Sequence, residues 1–246
     1  MITWLRADSA FPPIDAALDE PNGLLAAGGD LSPGRILAAY RRGIFPWFGA
    51  GQPILWWSPD PRMVLYVEEF HASHSLRKRV KRGDFEVRVD TAFDDVIEYC
   101  AQTPREGQLG TWITPGVMDA YRELHAEGFG HSVEAWQDGE LVGGLYGLAI
   151  DHMFFGESMF ARRTDASKIA LAALIAFCLD RGIETIDCQQ RTSHLASLGG
   201  RELPRTEFMR RLGTALAMPP VQDWTYDLRL WRQFGFPGSP AEDAAS

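Results

Sequence analysis

Cysteine is scarce in this chain: Cys100, Cys178 and Cys188 are the three among 246 residues. They are widely spaced and form no Cys-x-x-Cys pair. Neither a disulfide framework nor a zinc ribbon is indicated, and the usage suits a reducing compartment. No run of about 18 apolar residues exists to span a bilayer. The opening residues, Met1 to Asp8, hold no long apolar stretch before Pro12-Pro13, so no secretory signal is expected. These absences predict a cytoplasmic protein without a membrane partner. The chain also lacks a phosphate-binding P-loop, a His-Glu-x-x-His zinc motif and a Gly-x-Ser-x-Gly nucleophile elbow. It has no internal repeats and no long low-complexity tract.

Positive charge is in deficit. Twenty-four Lys and Arg face thirty-three Asp and Glu, a net charge of −9, so bulk charge does not describe a nucleic-acid binder. One segment departs from that average. In Arg77-Lys78-Arg79-Val80-Lys81-Arg82, five of six residues are cationic, and without them the rest of the chain stands at −14. A charge run of this length is ordinarily the solvated face of a helix. Concentrated on an acidic protein, it also suits phosphate backbone by counterion release, while being too short to read base sequence.

The apolar fraction of 46% and the eight Trp and fourteen Phe give ample material for a core and an aromatic pocket. Turn formers crowd the first sixty residues, and one helix stands out among them. Ser32 suits its N-cap, Pro33 its first turn and Gly43 its stop. This stretch, residues 1–61, is expected to be a small N-terminal domain rich in turns and aromatics. From Arg62 the pattern turns regular. Strands are predicted over Met63–Val67, Phe85–Val89, His131–Trp136, Glu140–Ile150, Met153–Glu157 and Ile183–Cys188. Helices are predicted over Ser75–Arg82, Ala92–Cys100, the segment opened by Thr114-Pro115 and closed by Gly128, and Ala166–Arg181. Asp138-Gly139 is a hairpin turn. The Gly143–Gly147 stretch lies inside a strand and points to a bulge or a close backbone approach. The fold class is α+β, a mixed sheet with packed helices over residues 62–236, followed by a tail expected to fray over 237–246.

Two short apolar strands carry acids. Phe154-Phe155-Gly156-Glu157 holds Glu157, and Ile186-Asp187-Cys188-Gln189 holds Asp187, with Gln189 two residues on and so expected on the same face. Carboxylates on apolar strands are costly to bury unless paired or hydrogen-bonded, which makes all three candidate site residues. Trp47 and Trp112 sit in Pro- and Gly-bounded loops. There an indole can stack on a base, enclose an apolar side chain or simply pack an interface.

The joint order of several stretches resembles the bacterial leucyl/phenylalanyl-tRNA–protein transferase family. They are Pro21-Asn22-Gly23-Leu24-Leu25-Ala26, Gly28-Gly29-Asp30-Leu31-Ser32-Pro33, Tyr40-Arg41-Arg42-Gly43-Ile44-Phe45-Pro46-Trp47-Phe48 and Pro53-Ile54-Leu55-Trp56-Trp57-Ser58-Pro59-Asp60-Pro61-Arg62. Gly110-Thr111-Trp112-Ile113-Thr114, Gly156-Glu157-Ser158-Met159-Phe160, Ala166-Ser167-Lys168, Ile186-Asp187-Cys188-Gln189 and Ser197-Leu198-Gly199 continue the series. The resemblance runs from about Phe11 to Leu212. It implies a GNAT-like acyltransferase domain behind the small N-terminal one. It implies transfer of Leu or Phe, less often Met, from aminoacyl-tRNA to proteins beginning with Arg or Lys, which marks them for degradation. Trp47 and Trp112 match the aminoacyl-adenosine site. Leu145, Phe154 and Ile186 match the amino-acid pocket, and Glu157, Asp187 and Gln189 the catalytic centre. Arg77, Lys78, Arg79, Lys81 and Arg82 match the tRNA-contacting helix.

The implied chemistry needs no cofactor, because the donor ester is already activated. The attacking amine must be neutral, and Asp187 is the expected group to orient it and accept its proton, directly or through a neighbour. Gln189 would hold Asp187 or the ester carbonyl. Glu157 would bind the cationic N-terminal residue or position the adenosine; the sequence leaves both open. Two other classes compete. A CoA-dependent N-acetyltransferase needs a glycine-bearing pyrophosphate loop, and Arg162-Arg163-Thr164-Asp165-Ala166-Ser167 has no glycine. A non-catalytic RNA-binding or adaptor protein leaves the strand carboxylates without a purpose.

Overall fold

A computed structural model describes residues 2–104 and 111–234; the expected fraying of 237–246 lies outside them. The chain builds two sheets. The first uses β1 (Thr3–Leu5), β2 (Leu24–Gly28), β3 (Phe45–Pro46) and β4 (Leu55–Trp57), in the order β1-β2-β4-β3, with helix α1 (Pro33–Tyr40) between β2 and β3. The sequence did not announce these strands. Each has two to five residues, too few for an alternation to register against the surrounding Pro and Gly.

The second sheet follows: β5 (Arg62–Tyr66), helix α2 (His74–Arg82), β6 (Glu86–Val89), helices α3 (Phe93–Gln102) and α4 (Pro115–Ala126), then β7 (Gly130–Gln137), β8 (Glu140–Ile150) and β9 (Met153–Ala161). Helix α5 (Ala166–Arg181), β10 (Thr185–Gln189), helix α6 (Ser193–Ser197), β11 (Arg201–Leu203) and helix α7 (Arg205–Leu216) complete it. The strand order is β11-β5-β10-β9-β8-β7-β6. All its pairings are antiparallel except β9 with β10, the parallel strands joined through α5. This is the mixed sheet expected of the α+β class. Its predicted elements recur with ends shifted by a few residues. No helix among the described residues is long and apolar enough to cross a membrane.

Local chemistry explains the best-defined joints. Asp138 and Gly139 both take positive φ, 54° and 78°, the requirement of a two-residue hairpin turn matching strand twist. Thr114 caps α4 by accepting from the Val117 amide at 3.4 Å, with Pro115 just inside. Helix α3 starts on Ala92, which has no capping oxygen. Glu134, fully buried on β7, supplies one instead by accepting from the Thr91 and Ala92 amides at 2.9 and 2.8 Å.

Helices cover both faces of the large sheet. Helices α1, α3, α4 and α7 and the small sheet share one apolar cluster with Tyr146 and Phe155. Helices α2 and α5 share another with Leu145, Phe154 and Ile186. Alternation along β8 and β9 thus sends neighbouring residues to opposite cores. From Ile169 to Cys178 helix α5 is apolar all round because it is buried all round, between the sheet and the segment that carries Trp224 and Leu230. The sequence-based division at residue 61 falls between β4 and β5, and one core runs across it.

Helix α5 lies close on β8 because Gly143 lets it. A Cβ at Gly143 would stand 2.5 Å from the Ala166 Cβ and 2.7 Å from its carbonyl carbon. Overpacking of this kind costs about 1–3 kcal/mol, and a chain of this size loses about 2–4 °C of melting temperature per kcal/mol. Gly143→Ala is therefore expected to lower the melting temperature by several degrees. Gly116→Ala on α4, where a Cβ meets nothing within 4 Å, is expected to hold or raise it. Thermal unfolding of both variants checks this.

Candidate active site

Strands β9 and β10 pair only at Ile186 with Phe154 and Asp187 with Phe155. Beyond that, β9 continues to Ala161 against β8 alone. The sheet opens along this line, and a cavity of about 630 Å³ occupies the opening. Leu145, Phe154 and Ile186 wall it from the sheet, Leu171 and Leu174 from α5. Trp47 and Trp112 line it from loops after β3 and before α4, and Glu157 and Gln189 supply its polar end. A cavity that is mostly apolar with a few convergent polar groups has the ordinary form of a small-molecule site.

The two tryptophans are held from outside the cavity. The Trp57 indole donates to the Trp47 carbonyl at 2.6 Å and meets the Trp47 ring edge-on at 5.6 Å. The Trp112 carbonyl accepts from the Thr114 amide at 2.9 Å, tying it to the N-terminus of α4.

Glu157 is the electrostatic centre. Tyr40 donates its hydroxyl to Glu157 Oε1 at 2.6 Å and stands 2.8 Å from the Tyr121 hydroxyl, while Gln189 Nε2 donates to the same Oε1 at 3.3 Å. Burial pushes the Glu157 carboxyl up to about 7, against the lowering effect of the two tyrosine hydroxyls; the charge of Asp187 adds to the rise and Arg62 opposes it. Burial and the Glu157 charge raise both tyrosines well above their usual range, so they stay protonated as donors.

Asp187 stands elsewhere than expected. Its two carboxylate oxygens accept from Arg62 Nε at 2.8 Å and Nη2 at 2.7 Å, and both side chains are essentially without exposure. The strand register shifts between Asp187 and Gln189, and Gln189 takes φ +57°. A β-bulge breaks the count by two. Gln189 therefore lines the cavity and Asp187 does not. The expectation that both face one cavity is corrected on that ground. Of the two routes expected of Asp187, the direct one is closed off where Arg62 covers its oxygens, and the route through a neighbour stays open.

Tyr40, Tyr121 and Arg62 were missed as site residues. In the sequence Tyr40 stands only within one of the stretches that carry the resemblance. Tyr121 carried no signal. Arg62, a lone cation heading Met63-Val64-Leu65-Tyr66, was the one available hint that a buried counter-charge was needed. His194 also lines the cavity, where burial and Lys168 hold its imidazole below its usual range.

The basic helix α2 buries Leu76 and exposes Arg77, Lys78, Lys81 and Arg82. Arg77 donates to the Ala72 carbonyl at 3.1 Å. Arg79 is half-buried, 2.8 Å from Asp84 and over the Phe85 ring.

Comparison with known proteins bears on all of this. Residues 64–213 match the family model described as leucyl/phenylalanyl-tRNA protein transferase, and residues 29–60 match the model of its N-terminal domain. The chain belongs to this family. A leucyl/phenylalanyl-tRNA–protein transferase of Leptothrix cholodnii is 56% identical over 257 aligned positions, covering 99% of this chain and 100% of the relative. One of Cupriavidus necator is 55% identical over 98% of this chain and 100% of its own. Among solved structures, an aminoglycoside acetyltransferase from a soil metagenome aligns at 14% identity over 60% of this chain and 98% of its own, with a TM-score of 0.36. A ribosomal-protein-alanine N-acetyltransferase from Brucella melitensis aligns at 13% over 58% and 96%, with a TM-score of 0.32. Scores this low carry no argument about the site.

The raised Glu157 carboxyl has a signature in stability. The folded protein holds this proton to about pH 7, while the unfolded chain releases it near 4.5. Stability therefore falls as pH rises between those values, on the order of 3 kcal/mol at full effect. Glu157→Gln is expected to be more stable than the wild type above pH 7, with the difference closing toward pH 4.5. Melting curves across that range check it; a difference that ignores pH would assign the titration to another group.

Proposed function

We propose that this protein transfers Leu or Phe, less often Met, from aminoacyl-tRNA to the α-amine of proteins beginning with Arg or Lys. The observation that carries this reading is the full-length match to transferases of that name at 55–56% identity. The cavity, an apolar chamber with Glu157 and Gln189 at its polar end, supports it. In this reading Leu145, Phe154 and Ile186 hold the donor side chain, and Trp47 and Trp112 stack on the terminal adenosine. Residues 1–61 act as a domain that completes the site of a GNAT-like acyltransferase domain over 62–236. The transfer takes place in the cytoplasm, and the product is marked for degradation.

The reaction joins the acceptor nitrogen to the ester carbonyl carbon and breaks the bond from that carbon to the ribose oxygen of the tRNA. One proton leaves the amine and one ends on the released ribose hydroxyl. Glu157, poised at about 7, takes the first and returns it to the leaving oxygen; a base of this strength is suited to neutral pH. Gln189 orients Glu157 through its 3.3 Å bond and presents its amide toward the cavity. Asp187 acts on this centre from behind. The acceptor's cationic residue is favoured by the net negative charge of the chain, −9 in all. A CoA-type donor is disfavoured at the start of α5, where the Asp165 carboxylate is paired with Lys168 at 3.1 Å. A pyrophosphate there would meet an acid at the position where helix N-termini bind anions.

The test is single-turnover transfer from charged tRNA to an Arg-starting peptide. Leu-, Phe- and Met-charged tRNA are all expected to react, because one methylene in an apolar pocket discriminates by only about 1–3 kcal/mol. Ile and Val donors should be slower through shape, and Asp- or Lys-charged tRNA and an Asp-starting peptide should give no product. Comparable rates with the charged donors would refute the pocket assignment.

Helix α2 is proposed as the element that grips the tRNA backbone. Replacing Arg77, Lys78, Lys81 and Arg82 with Ala is expected to weaken tRNA binding and flatten its salt dependence, by about 0.7–0.9 in log–log slope for each phosphate no longer neutralised. Affinity measured against salt concentration decides it, and an unchanged slope would leave α2 a solvated face.

A further inference from the structure

The buried pair of Arg62 and Asp187 is more elaborate than a fold needs. The Arg62 side chain is 1% exposed and that of Asp187 0%. Besides its two bonds to Asp187, Arg62 donates from Nη1 to the Gly43 carbonyl at 3.0 Å. Its guanidinium carbon lies 4.6 Å from the centre of the Phe45 ring and 4.7 Å from that of Phe208. Four parts of the chain thus fix one planar group: the turn after α1, β3, β10 and α7. Burying two charges costs several kcal/mol per ion, and apolar residues of the same size often give equal or better stability. The pair is therefore better explained by what it orients.

What it orients is Gln189. With both carboxylate oxygens fixed by Arg62, Asp187 Oδ1 also accepts the Gln189 backbone amide at 3.0 Å. That bond closes the turn at which Gln189 takes φ +57°, a conformation in which a side chain other than glycine's is uncommon and costly. The same turn is the bulge that slips β10 against β5. Its outcome is the Gln189 side chain in the cavity, with Nε2 on Glu157 Oε1.

We propose that Arg62 is a positioning residue for the transfer reaction: through Asp187 it holds the strained turn that delivers the Gln189 amide to Glu157. The inference rests on the function proposed above. Arg62 touches no substrate in this scheme. Its action is carried by a bidentate fork, which lysine cannot reproduce with a single ammonium group. A rate effect that runs through Gln189 must vanish once Gln189 has no side chain to aim.

The test is a double-mutant cycle in single-turnover transfer from Phe-charged tRNA to an Arg-starting peptide, using Arg62→Lys, Gln189→Ala and the combination. Each protein is also measured for thermal unfolding and for affinity to the charged tRNA. Arg62→Lys is expected to slow transfer at least tenfold while tRNA affinity stays within about threefold. In the Gln189→Ala background the same change should slow transfer less than threefold, since residues acting as a unit are not additive. Equal effects in both backgrounds would overturn the proposal, as would a rate loss matched by weaker tRNA affinity. If Arg62→Lys fails to fold, Arg62→Met/Asp187→Leu removes both charges and leaves none unpaired. It is expected to regain wild-type stability yet transfer at least 100-fold more slowly, and recovery of rate together with stability would overturn the proposal. Absence of transfer by the wild type itself would overturn the functional reading first, and is distinguished because it needs no substitution.

Discussion

The parallel ladder between β9 and β10 ends after two residue pairs, and the rest of the site follows from that ending. A sheet that stayed paired would fill the space now occupied by the cavity and would satisfy its backbone groups with one another. Here α5 joins one strand to the other and packs closely on the neighbouring β8 at Gly143. The apolar walls then face each other across a gap with no strand in it. The polar residues that follow the last pair, Glu157 on one side and Gln189 on the other, meet at the gap's edge.

Charge in this region is arranged in two tiers. The outer is Glu157, near enough to its titration point to exchange a proton at neutral pH, and it carries an instability that the rest of the core offsets. The inner is the pair of Asp187 and Arg62, locked together and withdrawn from solvent. The inner pair acts on the outer group in two ways: its carboxylate raises the Glu157 carboxyl while its guanidinium lowers it, and its geometry sets where Gln189 goes. A titratable carboxylate at the cavity and a locked one behind it thus stand on adjacent strands.

Much of this was legible in the sequence, and what escaped did so for physical reasons. The hairpin at Asp138-Gly139 and the start of α4 were written in turn residues and caps, which act within a few positions. The small sheet was not, because strands of two to five residues carry no period and their partners are distant. The apolar wall of Leu145, Phe154 and Ile186 came from the resemblance; alternation alone assigns faces but not neighbours. Arg62 and Asp187 are 125 positions apart, and nothing local links them. Counting by two from Asp187 to Gln189 failed because a bulge adds a residue to the count, and only the pairing with β5 reveals it.

Tyr40 makes the site depend on the amino-terminal part of the chain. It is the last residue of α1, ahead of the large sheet in the chain, yet its hydroxyl holds the carboxylate on β9. Helix α2 carries its basic face independently of that bond. A chain whose first sixty residues have not docked therefore lacks the hydroxyl that Glu157 accepts, while α2 keeps its exposed cations. The bond from α1 to β9 works as an interlock: the Glu157 carboxyl takes its final surroundings only with the amino-terminal part in place.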